Sequence, residues 1–277
     1  MDDDGGRTFL VTGATGGIGL VTARELASRG ATVYITARSA DKGRRTLDEL
    51  AAATGSDRLH ALELELGELD SVRACARAFL ATGAPLHGLI NNAGLAGGRG
   101  MTPSGFELAF GTNHVGAFLL TELLTERLVQ SAPARVVNVA SEGHYRAAGI
   151  DFDAVCCATR TRTAFPEYCV SKLANVLHAC ELSRRLQGTG VTTYSLHPGT
   201  VATDVWRKVP WPIRPLMLRR MDSPQDGART SLYCATAAEL EDRSGRYYDA
   251  CTEREPSKIV TPRLAAELWE RSAEWVA

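Results

Sequence analysis

Short apolar runs alternate with longer amphipathic segments along most of the chain. Runs rich in Val, Ile, Leu and Thr are typical of buried strands, and segments of ten or more residues between them leave room for helices. The predicted strands are Thr8–Thr12, Thr32–Thr36, Leu59–Leu66, Gly88–Asn91, Arg135–Val139 and Val191–Leu196. The predicted helices are Gly17–Arg29, a segment capped by Asp41 and running to Thr54, Ser71–Leu80, Pro103–Ser131 and Pro166–Leu186.

This alternation predicts the architecture. Strands separated by helices pair in parallel through right-handed crossovers. No repeat or Pro/Gly-rich linker divides the chain, so a single domain is expected over residues 1–277. The expected fold class is α/β, a Rossmann-type doubly wound parallel sheet of about seven strands with helices on both faces.

Two segments interrupt the alternation. Glu142–Phe165 shows no periodicity and is expected to loop over the sheet edge, whereas Trp206–Met221 mixes aromatic, aliphatic and arginine side chains with three prolines. Both follow the carboxyl ends of strands, where ligands bind in such sheets. We expect residues 204–224 to form a substrate lid. Core packing with solvated arginines, or contact with a membrane surface, are the alternatives.

Composition narrows the function classes. The 277 residues are 44% hydrophobic and 23% charged, with a formal net charge of −1, so no basic surface for nucleic acid is expected. The seven cysteines lack metal-type spacing, which predicts reduced thiols and no metal site. No apolar run reaches the roughly 18–20 residues of a membrane span, and no secretory signal precedes the first strand. A cytoplasmic protein without an integral membrane segment is therefore expected.

A glycine-rich turn joins the first strand to the first helix, in the sequence Thr12-Gly13-Ala14-Thr15-Gly16-Gly17-Ile18-Gly19. Glycines permit a sharp turn and let the backbone approach a pyrophosphate, while the amides of the following helix face the anion. Glycine clusters also occur in turns for steric reasons alone. Because this one lies between a strand and a helix, it predicts a dinucleotide site.

The end of the second strand bears on which dinucleotide binds. An NAD enzyme usually carries an acidic residue there for the ribose hydroxyl, but this chain has Ala37-Arg38-Ser39. Arg38 could hold a 2′-phosphate through charge-assisted hydrogen bonds, or it could be a solvated turn residue. We therefore expect NADP(H) to be preferred, with NAD(H) as the alternative.

The strongest chemical pattern is Tyr168-Cys169-Val170-Ser171-Lys172 within a predicted helix. Residues four apart share a helical face, so the Tyr168 hydroxyl and the Lys172 ammonium can serve one site. Tyrosine has an ordinary pKa of about 10, and a nearby positive charge favours the phenolate. Tyr168 could then exchange a proton with a carbonyl or alcohol oxygen. Alone, this spacing also fits a surface pair.

Several motifs in order resemble the short-chain dehydrogenase/reductase family. The turn matches its T-G-x-x-x-G-x-G pattern, and Tyr168 and Lys172 match its Y-x-x-x-K pattern. Asn91-Asn92-Ala93-Gly94, Asn113, Ser141 and Pro198-Gly199-Thr200-Val201-Ala202-Thr203 stand in the other family positions. The resemblance implies that Ser141 binds the substrate oxygen, that Tyr168 is the acid/base, and that Asn113 holds a water linking Lys172 to solvent.

The same resemblance implies a cofactor site and a substrate pocket. The implied cofactor residues are Gly13, Thr15, Gly16, Gly17, Ile18, Gly19, Arg38, Glu65, Leu66, Asn92, Ala93, Gly94, Tyr168, Lys172, Pro198, Gly199, Val201 and Thr203. Glu65 replaces the usual Asp beside the adenine. The expected pocket residues are Glu142, His144, Tyr145 and Trp206. His114 and His197 are expected to be structural.

The 27 residues from Ser141 to Tyr168 are about twice the usual interval, which resembles the retinol dehydrogenase-like branch of the family. That branch handles lipophilic aldehydes, ketones and alcohols, often with NADP(H). The N-terminal membrane helix of many animal members is not found in this sequence, which favours a reductase or alcohol dehydrogenase acting away from membranes. The long helices commonly form a dimer interface in the family, so a homodimer is expected unless the insertion blocks it and leaves a monomer.

The expected function is an NADP(H)-dependent oxidoreductase that transfers a hydride between the nicotinamide and a small-molecule carbonyl/alcohol pair. A non-catalytic NADP(H) sensor or scaffold on the same fold is the alternative. An epimerase or dehydratase of the extended group is disfavoured because only 74 residues follow Thr203.

Overall fold

The alternation of strands and helices produces an eight-stranded sheet in the computed structural model, which describes residues 4–201 and 222–277. The strands are β1 (Thr8–Val11), β2 (Thr32–Ala37), β3 (Leu59–Glu63), β4 (Gly88–Asn91), β5 (Ala134–Val139), β6 (Val191–His197), β7 (Arg246–Asp249) and β8 (Thr252–Arg254). Their order is β3-β2-β1-β4-β5-β6-β7-β8, and every pair is parallel except β7 with β8. The order reverses between β1 and β4, which is where such sheets bind ligands.

Helices cover both faces of this sheet. They are α1 (Gly17–Ser28), α2 (Ala40–Thr54), α3 (Leu69–Ala81), α4 (Leu108–Phe110), a π-helical turn (Gly111–Val115), α5 (Gly116–Gln130), α6 (Phe165–Arg185), α7 (Pro224–Thr236) and α8 (Pro262–Val276). Successive residues of a strand point to opposite faces of the sheet and lie in different hydrophobic clusters. Phe9 packs with α1, α2 and α7, whereas Leu10 packs with α3, α5 and α6. This period of two gives the two-layered core of a doubly wound fold, as predicted.

Three predicted boundaries are wrong. The third strand ends at Glu63, and the helix predicted from Pro103 begins only at Leu108. The Thr102 hydroxyl accepts the Phe106 amide at 3.1 Å, and the Glu107 carboxylate accepts the Phe110 amide at 2.8 Å, so local side-chain bonds delay the helix. The cap of α2 is Ser39, whose hydroxyl accepts the Lys42 amide, rather than Asp41, which lies in the first turn.

The eighth strand was not predicted. It forms a tight hairpin with β7 through Ala250 and Cys251, both in the left-handed region with φ of +48° and +58°. Such turns normally signal themselves through Gly, Asn or Asp, and this one does not.

The insertion before Tyr168 passes over the carboxyl ends of β6 and β7, where the Glu142 amide donates to the His197 Nδ1 at 3.2 Å and the His144 ring lies 4.6 Å from that of Tyr247, and its later part packs on helices. It contains two short 3₁₀ turns, Glu142–Arg146 and Ala154–Cys156. Val155 is buried in a cluster shared with α4, α6 and α8. The Glu107 amide donates to the Val155 carbonyl at 2.7 Å, the Thr159 amide donates to the Gly100 carbonyl at 3.0 Å, and the Gly100 amide donates to the Thr159 hydroxyl at 3.0 Å. The insertion is thus bonded to the segment that leads into α4.

Most of the predicted lid, including Thr203 and Trp206, lies outside the described residues. At its two ends, Val201 and Asp222 pair as a parallel bridge, and the Asp222 amide donates to the Thr200 carbonyl at 2.9 Å. The lid therefore stays a prediction. A search of the described helices for one long and apolar enough to cross a membrane found none.

Candidate functional site

The glycine-rich turn after β1 is closed tightly against β4. Gly13 has φ of +66°, which only glycine adopts readily, and a Cβ there would lie 2.8 Å from the Ala93 Cα. A Cβ on Gly19 would lie 2.6 Å from the Gly13 carbonyl oxygen and would also overlap the Asn92 amide. Neither position can carry a side chain without moving backbone.

Hydrogen bonds from Thr12 and Asn92 hold this turn in place. The Thr12 hydroxyl accepts the amides of Asn92 and Ala93, each at 3.0 Å. The Asn92 side chain donates to the Thr12 carbonyl at 2.8 Å. Sequence reasoning used Thr12 only as part of a motif. Its signal was a polar residue ending an otherwise apolar strand.

The amino terminus of α1 is free to bind an anion. Its N-cap is Gly16, no side chain of the described residues caps the helix there, and its first turn holds no acidic residue. By contrast, α2 is capped by Ser39 and carries Asp41 in its first turn. Unbonded amides and the positive end of the helix dipole favour a phosphate group at α1. The turn therefore fits a dinucleotide pyrophosphate.

A cavity of about 510 Å³ continues from this turn toward α2. It is lined by Thr15, Ser39, Asp41, Lys42, Arg45, Thr46 and Glu49. Arg44 holds the Asp41 carboxylate at 2.8 Å, which offsets one of the two acidic groups. Arg38 is exposed at the end of β2, directly before Ser39. Cationic side chains thus flank the cavity on the side where an adenosine ribose would lie.

Helix α6 presents Tyr168 and Lys172 on one face. Lys172 is 5% exposed, and its Nζ donates to the Val139 carbonyl at 2.8 Å. Burial lowers the pKa of Lys172 to about 8, since an enclosed ammonium loses its hydration. Its Nζ lies 5.7 Å from the centroid of the Tyr168 ring. The predicted pair therefore does share one site.

Ser141 lies beside Tyr168, two residues beyond the end of β5. Burial raises the pKa of Tyr168, and a hydrogen bond with the Ser141 side chain opposes that rise. A Cβ on Gly143 would lie 3.4 Å from both the Ser141 Oγ and the Tyr168 ring. The turn that follows Ser141 therefore closes directly over the two hydroxyl-bearing side chains.

Asn113 enters the same site from the π-helical turn. Its Oδ1 accepts the Leu95 amide at 2.8 Å, and its Nδ2 donates to the Leu95 carbonyl at 3.0 Å and to the Ser171 hydroxyl at 2.9 Å. A Cβ on Gly94 would lie 3.1 Å from the Asn113 Oδ1 and 3.4 Å from the Lys172 Nζ. Asn113 and Lys172 therefore flank Gly94. The water expected between Asn113 and solvent stays a prediction.

Comparison with known proteins decides the family. The family model described as short chain dehydrogenase matches residues 7–211, well over half of the chain. The chain belongs to the short-chain dehydrogenase/reductase family.

Within this family, the chain falls in the retinol dehydrogenase-like branch. It is 45% identical to mouse retinol dehydrogenase 11 over 250 residues, which cover 89% of this chain and 78% of that protein. It is also 45% identical to human retinol dehydrogenase 12 over 276 residues, covering 97% and 86% of the two chains. A crystal structure of an uncharacterised Mycobacterium paratuberculosis protein superposes with a TM-score of 0.79 at 30% identity, covering 100% and 95%. The protein is thus an enzyme of an oxidoreductase family that uses NAD(H) or NADP(H).

Several of the remaining predicted cofactor residues pack together within the described part of the chain, whereas Thr203 lies outside it. A Cβ on Gly227 of α7 would lie 2.6 Å from the Val201 Cγ2, 3.0 Å from the Ile18 Cγ1 and 3.1 Å from the Pro198 carbonyl. The loop after β6 therefore meets the glycine-rich turn through α7. On the other side of the turn, the Glu65 carboxylate accepts the Gly67 amide at 3.3 Å, and Leu66 is buried.

The expected pocket residues differ in their surroundings. His144 is fully buried: its Nε2 accepts the Ser257 amide at 3.1 Å, so its Nδ1 carries the proton and donates to the Ser141 carbonyl at 2.7 Å. His144 thus fixes the turn after Ser141 and offers no free nitrogen to a substrate. Tyr145 is exposed and donates to the Glu255 carbonyl, while Glu142 lies 4.0 Å from His197.

No group of three or more His, Cys, Asp or Glu side chains that could hold a metal ion occurs within residues 4–201 and 222–277.

Proposed function

We propose that this protein is an NADP(H)-dependent oxidoreductase that interconverts a lipophilic carbonyl compound and its alcohol, with Tyr168 as general acid/base. The observation that carries the proposal is the convergence of Ser141, Tyr168 and Lys172 from β5 and α6 on one point. A bound nicotinamide would donate or accept the hydride. The residues of the chain would orient the substrate and move its proton.

In the reduction direction, Tyr168 donates its hydroxyl proton to the substrate oxygen. Burial raises its pKa, which keeps the phenol protonated and ready to donate. In the oxidation direction it must accept a proton, which requires a stabilised phenolate. The Lys172 ammonium, 5.7 Å from the ring, favours that phenolate by charge. Ser141, whose Oγ lies beside the Tyr168 ring around Gly143, holds the substrate oxygen in reach of the Tyr168 hydroxyl.

The proton is proposed to reach Tyr168 from the direction of Asn113. Lys172 and the Asn113 side chain lie on either side of Gly94, which is exposed. Because the pKa of Lys172 is lowered to about 8, its ammonium can exchange a proton near neutral pH more readily than an ordinary lysine.

The preference for NADP(H) is proposed from charge around the cavity beside the glycine-rich turn. The residue directly after β2, where an acidic side chain would repel a 2′-phosphate, is Arg38. Lys42 and Arg45 line the cavity opposite two carboxylates, Asp41 and Glu49, of which Asp41 is already paired with Arg44. NAD(H) lacks the phosphate that these groups would bind.

A lipophilic substrate is proposed from the relatives and from the site mouth. Two relatives at 45% identity carry the name retinol dehydrogenase. In this chain Phe165 is 39% exposed, and its ring centroid lies 6.2 Å from that of Tyr168. An exposed phenyl ring beside the proposed acid/base offers an apolar contact to a substrate.

The direct test is NADPH oxidation, followed by absorbance, with aliphatic, aromatic and isoprenoid aldehydes and ketones. Turnover of several apolar carbonyl compounds is expected, with smaller rates for short polar ones. Tight NADPH binding with no turnover of any carbonyl or alcohol would instead support the sensor or scaffold alternative.

We propose that the protein does not dimerise through α5 and α6 and is a monomer. The Trp269 ring of α8 packs against Phe118 of α5 at 4.9 Å, and Phe152 of the insertion approaches Trp275 of α8 at 6.3 Å. The helices that commonly pair between family members are thus covered by the same chain. Light scattering that gives twice the chain mass would contradict the monomer. A crystal structure of that dimer would then show whether α5 and α6 form the interface.

A further inference from the structure

A buried hydrogen bond joins the C-terminal helix to the π-helical turn beside the candidate active site. The His114 Nε2 lies 2.9 Å from the Ser272 Oγ of α8. His114 is 1% exposed and Ser272 is 0% exposed, so water does not compete for this bond.

Among the described residues, Ser272 supplies the side-chain hydrogen bond of the His114 ring, whose other neighbours are aromatic rings. Its ring lies between Phe110 at 5.1 Å, His178 at 5.9 Å and Phe118 at 6.0 Å. Burial keeps the imidazole neutral, because it lowers the pKa of His114 well below its ordinary value. Its Nδ1 has no hydrogen-bond partner among the described residues. The favoured tautomer carries the proton on Nε2 and donates it to Ser272, since a bare lone pair costs less than an unpaired N–H.

His114 is the next residue after Asn113 in a turn of unusual geometry. Single π-helical turns are less stable than α-helix and need support from outside the helix. Asn113 bonds through its Nδ2 to the Ser171 hydroxyl, which in turn donates to the Tyr168 carbonyl at 2.7 Å. A continuous path of contacts therefore runs from Ser272 to the helix that carries Tyr168 and Lys172.

We propose that His114 and Ser272 are positioning residues, through which α8 holds the π-helical turn and fixes the Asn113 side chain at the active site. The role goes beyond the proposed function but rests on it, because it is defined by that reaction. Without this bond, the Asn113 side chain would break its hydrogen bonds to Leu95 and Ser171 more often. Its position beside the Lys172 ammonium would then no longer be fixed.

Docking of α8 does not depend on this bond. The Trp269 ring packs against Phe118 at 4.9 Å and His178 at 5.7 Å, with the Arg185 guanidinium 4.4 Å above it. Leu268 and Ala265 are also buried. Removing one hydroxyl should therefore leave the helix in place, so the two roles can be separated.

The test uses Ser272→Ala, His114→Leu and His114→Gln, the last of which keeps an N–H donor near the Nε2 position. Ser231→Ala is the matched control, because the Ser231 hydroxyl is equally buried but has no hydrogen-bond partner within residues 4–201 and 222–277. We expect Ser272→Ala and His114→Leu to lower kcat about tenfold with little change in KM, and His114→Gln to recover much of the loss. Ser231→Ala should leave kcat unchanged.

Hydrogen exchange supplies a readout that needs no substrate. The Leu95 amide donates to the Asn113 Oδ1, so its protection reports whether Asn113 is held. Exchange at Leu95 should be about tenfold faster in Ser272→Ala and His114→Leu than in Ser231→Ala. Unchanged exchange overturns the proposal whether or not a substrate is found, and faster exchange with unchanged kcat overturns the positioning role. Absence of turnover in the unmodified protein counts against the proposed function alone.

Discussion

The nucleotide side and the reaction side of the candidate site are formed by different parts of the chain. The nucleotide side is made of backbone: a glycine turn with no room for a Cβ at Gly19, and a helix terminus without a side-chain cap. The reaction side is made of functional side chains on α6 and β5, and it buries the Lys172 ammonium. One side depends on the absence of side chains and the other on their chemistry.

This difference predicts how each side fails. A substitution on the nucleotide side changes the space and charge available to the cofactor, so it should act on binding. A substitution on the reaction side removes a group that moves a proton, so it should act on turnover. Buried charge also costs stability, whereas a close-packed glycine turn supports it.

The largest effect is expected for Tyr168→Phe. Loss of the proton donor should lower kcat about a thousandfold, within the usual range for general acid/base groups, while NADPH affinity changes little. Steady-state kinetics and a fluorescence titration of NADPH measure the two quantities. Tyr34→Phe is the control, because Tyr34 lies in β2 and packs against His60 and Phe79, outside the proposed reaction site. A Tyr168→Phe enzyme with near-normal kcat would remove the tyrosine from the reaction.

Next in size is the effect of Arg38→Asp on cofactor choice. A carboxylate in place of the guanidinium should weaken NADPH binding by about 10- to 100-fold, in line with loss of a charge-assisted hydrogen bond, and leave NADH nearly unaffected. Arg44→Asp makes the same charge change on α2, but Arg44 is engaged by Asp41. If both variants weaken both cofactors equally, the 2′-phosphate is bound elsewhere.

Gly19→Ala should weaken both cofactors by about tenfold, because the new methyl group must displace the Gly13 carbonyl, 2.6 Å away. Calorimetric titration with NADPH and NADH gives the affinities. Gly88→Ala serves as control: its Cβ would meet the Phe9 ring, 2.7 Å from Cε1, so it disturbs the sheet but not the turn. Equal losses of affinity in the two variants would point to general destabilisation.

The smallest effect concerns stability. Lys172 has a pKa of about 8 in the fold against an ordinary value of 10.5, so below pH 8 the folded state carries the full cost of a buried ammonium. Between pH 8 and 10.5 the folded state releases the proton first, and stability rises with pH. Lys172→Met should therefore raise Tm by a few degrees at pH 7, and the gain should shrink above pH 8. Lys42→Met, at an exposed position, should not show this pH dependence. A lower Tm for Lys172→Met at pH 7 would contradict the assignment.

Most of the fold follows from the sequence because buried parallel strands and long crossover helices leave strong patterns. The features that were missed depend on single local bonds. The delayed start at Leu108 reflects Thr102 and Glu107 competing for amides, and the hairpin at Ala250 and Cys251 lacks turn-forming residues. The insertion has no periodicity because backbone and side-chain bonds to Gly100 and Glu107 hold it, not a repeating apolar face.

The candidate site divides in the same way. The glycines, Tyr168 and Lys172 could be predicted because the order of their motifs along the chain resembles the family, and helix geometry puts residues four apart on one face. The burial of His144 and the bond between His114 and Ser272 could not, because they join residues 113 and 158 positions from their partners. The sequence predicted His144 as a pocket residue but gave no sign of the Ser257 amide that occupies its second nitrogen.

The most direct test of the division between the two sides measures cofactor affinity and the single-turnover rate at saturating NADPH in parallel, for Tyr168→Phe and Gly19→Ala. We predict that Tyr168→Phe retains affinity within about twofold and loses the rate, and that Gly19→Ala loses affinity and retains the rate within about twofold. If Tyr168→Phe transfers hydride at the rate of the unmodified protein, or if each variant loses both quantities together, the account is contradicted.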